Sequence, residues 1–260
     1  MRLFLASLLP KFRRRVPSAI RGHRGWDRCG DRLVAGHFLA GARRRELVRR
    51  LQACRTPGDY YDFASGIFPA HQVRTEIVGF LERAREERPR TVMEIGTAQG
   101  GTNFLLGVVL PEVTLKIGVD LFVQNTRLLD AFARPGCRQV FLNGSSYGRG
   151  MAQRVRAALD ERVIDVLFID GDHAYAGVKA DFETYAPLVR PGGLIAFHDI
   201  VPDHLTRFGR ATGRYAGDVP RFWQDVRGGF AETWEFVESW DQDGLGIGVG
   251  RVKSAQTGGA

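Results

Sequence analysis

The chain has 260 residues, of which 44% are hydrophobic and 25% charged, a composition typical of a folded globular protein. Its three cysteines are widely spaced and odd in number, which argues against a disulfide framework or a zinc site and predicts a cytoplasmic location. The net charge of +8 comes from the N-terminal residues 1–55, which we call the leader. Residues 1–55 hold 15 Lys and Arg against 3 Asp and Glu, a net +12, so the other 205 residues carry −4. An acidic body without a basic, aromatic-interleaved element argues against nucleic-acid binding.

The sequence divides into three parts. We expect a basic N-terminal extension over residues 1–55, the main domain over residues 56–253, and a disordered tail over residues 254–260. The apolar start, MRLFLASLLP, is much shorter than the roughly 20 residues that a membrane span needs. Because the basic stretch KFRRR follows it, the leader suits peripheral contact with an anionic membrane, and a flexible, solvated arm is the alternative.

The predicted elements begin with a helix near residues 43–53 and a loop over residues 56–70. Apolar residues then recur at helical spacing from Val73 to Ala84. Further along, short apolar runs alternate with helical patterns. The predicted strands span residues 91–95, 115–120, 138–142, 164–170 and 194–198, and the predicted helices span residues 102–110, 126–133, 150–159, 174–189 and 219–226. The last two strands, 233–238 and 246–252, flank the turn residues DQDG and predict a hairpin.

Apolar strands separated by helices are typical of a parallel sheet that is covered on both faces. The pattern therefore predicts an α/β fold: a doubly wound, Rossmann-like seven-stranded sheet, mostly parallel with an antiparallel C-terminal hairpin. In such sheets ligands bind outside the carboxyl ends of the strands.

Candidate ligand-binding residues follow the first three strands. The stretch MEIGTAQGG places Glu94 at a strand end, before a turn with Gly96 and Gly100. Its glycine spacing is neither that of a dinucleotide fingerprint nor that of a P-loop, and the carboxylate favours a cationic ligand. Asp120 ends the second strand, where it can accept hydrogen bonds from ribose hydroxyls, and Ser145 and Ser146 follow the third. Together these residues predict a nucleoside pocket with an acidic end.

The stretches MEIGTAQGG, GVDL, NGSS, IDGDHAYAGVKADF and LVRPGGLIAFHDI resemble those of class I S-adenosylmethionine-dependent methyltransferases. The last two look like the small-molecule O-methyltransferase group that includes macrolide-sugar methyltransferases and proteins labelled cephalosporin hydroxylases. The resemblance covers about residues 66–252. It implies transfer of a methyl group from S-adenosylmethionine to a hydroxyl of a small molecule or sugar.

The resemblance also implies roles for individual residues. The cofactor would be bound by Glu94, Gly96, Thr97, Gly100, Asp120, Ser145, Ser146 and Asp170. Metal-dependent members of the fold hold Mg²⁺ after the fourth and fifth strands, which here points to Asp170, His198 and Asp199. Because one of these ligands is an imidazole, the site would favour Mn²⁺, Fe²⁺ or Zn²⁺ over Mg²⁺, and a metal-free site is the alternative.

The candidate catalytic residues are Asp172, His173 and His198, any of which could take the proton of the hydroxyl. Asp172 could equally cap the next helix, and His173 could be an exposed residue of its first turn. The segment VPDHLTRFGRATGRYAGD, residues 201–218, is basic and glycine-rich, which suggests either an acidic acceptor or a solvated loop.

Two other functions are compatible with the sequence. One is a non-catalytic cofactor-binding module that docks through the basic leader, and the other is a nicotinamide-dependent oxidoreductase, although the glycine spacing is wrong for the latter. The sequence is also compatible with a homo-oligomer.

Overall fold

The computed structural model describes residues 24–68 and 70–254. Its longer helices are α1 (Arg24–Leu39), α2 (Gly41–Ala53), α3 (Pro57–Ser65), α4 (Arg74–Glu86), α5 (Gly101–Val109), α6 (Thr126–Ala131), α7 (Met151–Leu159), α8 (Tyr175–Tyr185), α9 (His204–Phe208) and α10 (Val219–Val226). The strands are β1 (Thr91–Ile95), β2 (Leu115–Asp120), β3 (Arg138–Asn143), β4 (Ile164–Ile169), β5 (Val189–His198), β6 (Glu232–Phe236) and β7 (Ile247–Arg251).

The seven strands form one sheet in the order β3-β2-β1-β4-β5-β7-β6. The first five are parallel, and β6 and β7 form an antiparallel hairpin whose strand β7 pairs with β5. The predicted fold class is confirmed. The strand order reverses between β1 and β4, which is where open α/β sheets bind their ligands.

Apolar side chains cover both faces of the sheet. On one face, α1 to α6 contribute residues such as Phe38, Phe80 and Phe104 to a continuous core. On the other face, α7, α8 and α10 pack residues such as Tyr185 and Trp223 against the strands. Burial of this surface, at about 25 cal/mol per Å², is what holds the two layers on the sheet.

The prediction of a loop over residues 56–70 is wrong, because helix α3 occupies most of this segment. Thr56 and Asp59 form a capping box in which each side chain accepts a hydrogen bond from the backbone of the other, and Pro57 takes the first helical position. The sequence TPGD carries this signal. Phe63 is buried in the core beside Phe104, at a ring-centroid distance of 5.7 Å.

The start of β5 and the end of α8 also differ from the prediction. Helix α8 ends at Tyr185, a 3₁₀ turn follows over Ala186–Leu188, and β5 begins at Val189 rather than at residue 194. Its pairing with β4 shifts register between Ile164 and Val166, so the Pro-Gly-Gly segment is accommodated as an irregularity within the strand.

Helices α1 and α2 lie within the predicted N-terminal extension, and their residues Ala35 and Leu47 belong to the same buried core as Phe63. The apolar and basic start of the leader, for which membrane contact was predicted, lies outside the described residues, as does the tail from residue 255. Among the described helices, none has both the length and the apolar character to cross a membrane.

A buried carboxylate attaches the segment before β7 to the rest of the domain. Glu76 of α4 is 1% exposed and accepts hydrogen bonds from the side-chain amide of Gln242 and from the backbone N–H groups of Glu238 and Gly246. We expect Glu76→Ala to lower the free energy of unfolding by about 2–4 kcal/mol, because it leaves these donors unpaired. Chemical denaturation measures this loss, and Glu82→Ala on the exposed face of the same helix is the control. A loss below 1 kcal/mol would contradict the assignment.

Candidate active site

A cavity of about 360 Å³ opens at the carboxyl ends of β1, β4 and β5. Six segments of the described chain build its wall: the turn after β1, the residues after β4, the residues after β5, the segment before α4, the loop before α10, and the loop before β7. Of the predicted site residues, those that line it are Glu94, Gly96, Thr97, Asp170, His173, His198 and Asp199. Those that do not line it are Gly100, Asp120, Ser145, Ser146 and Asp172.

The turn after β1 approaches the end of β4 very closely. Gly96 has a φ of +85°, and a Cβ atom at this position would lie 1.7 Å from the carbonyl oxygen of Asp170. Its N–H donates to the carbonyl of Val119 at 2.8 Å, which fixes the turn against β2 as well. Only glycine fits here, and the turn directs the N-terminus of α5 toward the cavity.

Glu94 lies at the bottom of the cavity and is 2% exposed. Burial, reinforced by the negative charge of Asp170, raises its pKa to about 8. Thr97 and Asn103 lie close enough to Glu94 to lower this pKa in part, but the buried Glu94 Oε2 and Thr97 Oγ1 atoms form no hydrogen bond of good geometry among the described residues. Two buried polar atoms without partners, both in residues of the cavity wall, are suited to a ligand that donates hydrogen bonds.

Asp120 is the last residue of β2, and its carboxylate supports the turn that follows β1. One carboxylate oxygen accepts from the N–H of Ala98 and the other from the N–H of Phe122, both at 2.8 Å. Each oxygen retains a lone pair for a further donor. Ser145 and Ser146 follow β3, which pairs with β2 so that Asn143 lies opposite Asp120. These residues therefore share the sheet edge with the cavity.

Asp170, His198 and Asp199 form a compact, charged cluster. The Nδ1 atom of His198 lies 3.2 Å from both carboxylates. Burial disfavours the charged imidazole, but the two carboxylates outweigh it and hold the pKa of His198 well above its usual value. Likewise, despite its burial, the pKa of Asp170 lies well below its usual range, chiefly because of His198.

His173 faces the same carboxylates from the other side of the cavity. Its Nδ1 atom lies 2.7 Å from the carbonyl oxygen of Tyr215, so this nitrogen carries a proton and Nε2 is directed at the acids. Nε2 lies 3.5 Å from Asp199 Oδ2 and 3.8 Å from Asp170 Oδ1. The interaction with Asp170 raises the pKa of His173 to about 8, although burial opposes it.

Asp172 has a different environment from its neighbours. Its carboxylate accepts a hydrogen bond from the hydroxyl of Tyr147 at 2.7 Å and one from the N–H of Ala174 at 2.9 Å. The first bond ties Asp172 to the segment after β3, and the second lies within the turn that precedes α8. The N-cap of α8 is Ala174, without a side-chain cap hydrogen bond, so Asp172 does not cap the helix as the sequence suggested.

The cavity residues that were not predicted as site residues from the sequence include Gln72, Arg214 and Tyr215. Gln72 donates to Asp170 Oδ2 at 2.9 Å and accepts from the hydroxyl of Thr102 at 2.7 Å. The ring of Tyr215 stacks on His173 with an interplanar angle of 8°. All three reach the cavity from segments outside the β1–β5 pattern, so no strand-end rule indicates them.

Comparison with known families identifies the central part of the chain. Residues 93–200, from the middle of β1 to just beyond β5, match the family model described as a methyltransferase domain. This part of the chain is therefore similar to that methyltransferase family. The match includes Glu94, the Gly96 turn, Asp120 and the Asp170, His173 and Asp199 cluster.

A related sequence is an uncharacterized protein of Acanthamoeba polyphaga mimivirus, 31% identical over 131 residues, which are 46% of this chain and 55% of that protein. Another, from Sinorhizobium fredii, is 29% identical over 121 residues, 43% of this chain and 13% of that protein. The chain thus spans about half or less of the curated relatives that it matches.

Solved methyltransferases share the fold. An O-methyltransferase from Bacillus cereus in complex with SAH has a TM-score of 0.56 and 19% identity, covering 86% of this chain and 96% of that one. The mycinamycin-pathway methyltransferase MycE, in complex with Mg and SAH, has a TM-score of 0.51 and 18% identity, covering 79% and 57%. The whole fold of this chain is therefore that of class I methyltransferases.

The Gly96 turn provides a test of the site's construction. We expect Gly96→Ala to lower the free energy of unfolding by more than about 3 kcal/mol, or to prevent folding, because the methyl group meets the Asp170 carbonyl. Gly150 is a matched control, since it has a φ of +82° with open space around its Cβ position. Gly150→Ala should cost only about 1–2 kcal/mol, from backbone strain. Equal losses in chemical denaturation would contradict the close approach.

Proposed function

We propose that the protein is an S-adenosylmethionine-dependent O-methyltransferase that acts on a hydroxyl of a small molecule or sugar. The observation that carries this proposal is one cavity at the strand-order switch point, lined by the Glu94 and Gly96 turn on one side and the Asp170, His173 and Asp199 cluster on the other. The methyltransferase-domain match over residues 93–200 supports it, and neither the matched family nor the solved relatives favour a nicotinamide-dependent oxidoreductase.

The residues present fit the cofactor. S-adenosylmethionine carries an ammonium, a carboxylate, a sulfonium and two ribose hydroxyls. The unpartnered oxygens of Glu94 and Thr97 suit the ammonium, and the N-terminal amides of α5 suit the carboxylate. The free lone pairs of Asp120 suit the ribose hydroxyls. Ser145 and Ser146, at the end of the neighbouring strand, would lie toward the adenine.

S-adenosylmethionine would supply an activated methyl group whose sulfur leaves as a neutral thioether. The protein must then orient the acceptor oxygen and remove its proton. His173 is the candidate base, because its Nε2 atom faces the cavity while the Tyr215 carbonyl fixes its tautomer and ring orientation. Because its pKa is about 8, the neutral form that can accept a proton predominates above that pH. His198 is less suited, since it is 3% exposed and its Nδ1 atom lies 3.2 Å from both carboxylates, closer than His173 Nε2 does.

A divalent cation would fit the same cluster. Asp170, His173 and Asp199 each offer one ligand atom, and these atoms lie within 4.8 Å of one another. In this arrangement His173 replaces His198 in the ligand set predicted from the sequence. Two carboxylates and one imidazole suit Mn²⁺, Fe²⁺ or Zn²⁺ better than Mg²⁺, and such an ion would lower the pKa of the acceptor hydroxyl.

Cofactor binding depends on Asp120 in this proposal. We expect saturable binding of S-adenosylmethionine by isothermal titration calorimetry, weakened about 10–100-fold in Asp120→Ala through the loss of two charge-assisted hydrogen bonds. Asp241→Ala, which removes an exposed carboxylate outside the cavity wall, is the control and should bind like the original protein. A folded protein that gives no heat of binding, or an Asp120→Ala variant with unchanged affinity, refutes the proposal.

Proton removal depends on His173. We expect His173→Asn to lower kcat by about 100–10,000-fold, the usual contribution of a general base, with little change in cofactor affinity. The measurement is SAH release in a turnover assay. His204→Asn is the control, because that imidazole lies outside the cavity wall, 3.9 Å from Asp243. If both variants keep the same rate, His173 is not the base.

A further inference from the structure

Arg214 is a cation in the cavity wall without a counter-ion. It lies in the loop before α10, it is exposed, and it borders the same cavity as Asp170 and His173. No carboxylate of the described residues forms an ion pair with it, whereas nearby Arg207 donates to the carbonyl of Trp240 and lies 3.9 Å from Asp241. Its guanidinium therefore remains available to a ligand in the cavity.

The acidic residues of the same segment are already used by its own fold. Asp203 is fully buried, where it caps α9 and accepts from the N–H of Ala216 at 2.7 Å. Asp218 accepts from the N–H of Tyr175, and Asp243 accepts from Thr212 and from the N–H of His204. These carboxylates are held in hydrogen bonds to the backbone or to Thr212, and Arg214 is the charged residue of the loop before α10 that lines the cavity.

Arg214 precedes a residue that contacts the candidate base. That residue, Tyr215, accepts a hydrogen bond from His173 Nδ1 through its carbonyl at 2.7 Å and stacks its ring on the imidazole. Arg214 and His173 both border the cavity in which the acceptor would lie.

We propose that the acceptor carries an anionic group, a carboxylate or a phosphate, next to the hydroxyl that is methylated, and that Arg214 binds this group. The proposal rests on the proposed function, since it assigns the acceptor of that same cavity. Asp170 and Asp199 lie beside the imidazoles of His173 and His198. Arg214 has no such partner among the described residues, so it offers the anionic group an unpaired positive charge at the cavity wall. A guanidinium matches the geometry of carboxylates and phosphates with paired hydrogen bonds.

The test uses the whole protein saturated with SAH and two probes of the same shape, anionic 2-hydroxybenzoate and neutral 2-hydroxybenzamide. We expect calorimetry to show that the anion binds about ten-fold or more tightly than the amide, as charge-assisted hydrogen bonds imply. Arg214→Gln should abolish this preference. Arg210→Gln is the matched control, because Arg210 belongs to the same exposed segment but not to the cavity wall, and it should keep the preference.

The outcomes separate the two proposals. Equal affinities for the two probes, no binding of the anion, or equal loss of preference in both arginine variants would overturn the anion site. Absence of SAH binding itself would overturn the proposed function on which the site depends. If the anionic probe is preferred, inorganic phosphate is added as a competitor for its binding. Displacement of the probe supports an anion site for a phosphorylated acceptor. Failure of phosphate to displace the probe supports an anion site for a carboxylated acceptor.

Discussion

The site depends on the contact between two backbone segments, the Gly96 turn after β1 and the carbonyl of Asp170 after β4. Their parallel pairing is continued by a hydrogen bond from the Asp170 N–H to the Ile95 carbonyl at 2.9 Å. Because the turn has no side chain at Gly96, the two strand ends meet without an intervening atom. This contact places the carboxylate of Glu94 at the bottom of the cavity, next to the side chains after β4 and β5 that would act on the acceptor.

Charge divides the cavity into regions with different chemistry. Glu94 is buried, and Lys116 is the cation among the described residues that acts on its carboxyl group. The pKa of Glu94 is nevertheless raised, which suits a ligand that brings its own positive charge. Asp170 and Asp199 instead lie beside the imidazoles of His173 and His198, and the imidazole of His198 holds the pKa of Asp170 well below its usual range. Arg214 adds positive charge at one wall. A cofactor with a cationic amino-acid end and an acceptor with an anionic group would occupy these regions in a single orientation.

The fold was predictable because its signals are local. Apolar runs such as 164–169 with polar residues at their carboxyl ends indicate parallel strands, and strand-end rules then bring Glu94, Asp120 and Asp170 to one edge. Helix α3 was missed, although TPGD carries a capping signal. Gln72 was not predictable, since it reaches the cavity through tertiary packing. Arg214 and Tyr215 belong to the basic segment 201–218 that suggested an acidic acceptor, but which of its residues line the cavity depends on tertiary packing. The choice between Asp172 and His173 also required coordinates, which show one carboxylate bound to Tyr147 and the imidazole directed into the cavity.

The central claim is that a nucleoside with a cationic amino-acid end lies across the carboxyl edge of β1 and β2 and points its sulfur at the β4–β5 cluster. A crystal structure of the protein with SAH tests it directly. We expect the ribose hydroxyls of SAH to donate hydrogen bonds to Asp120 and its amino group to donate to Glu94 or Thr97. We expect its sulfur to face His173 and Asp170. A complex in which SAH binds elsewhere, or in which the sulfur points away from His173, would contradict it.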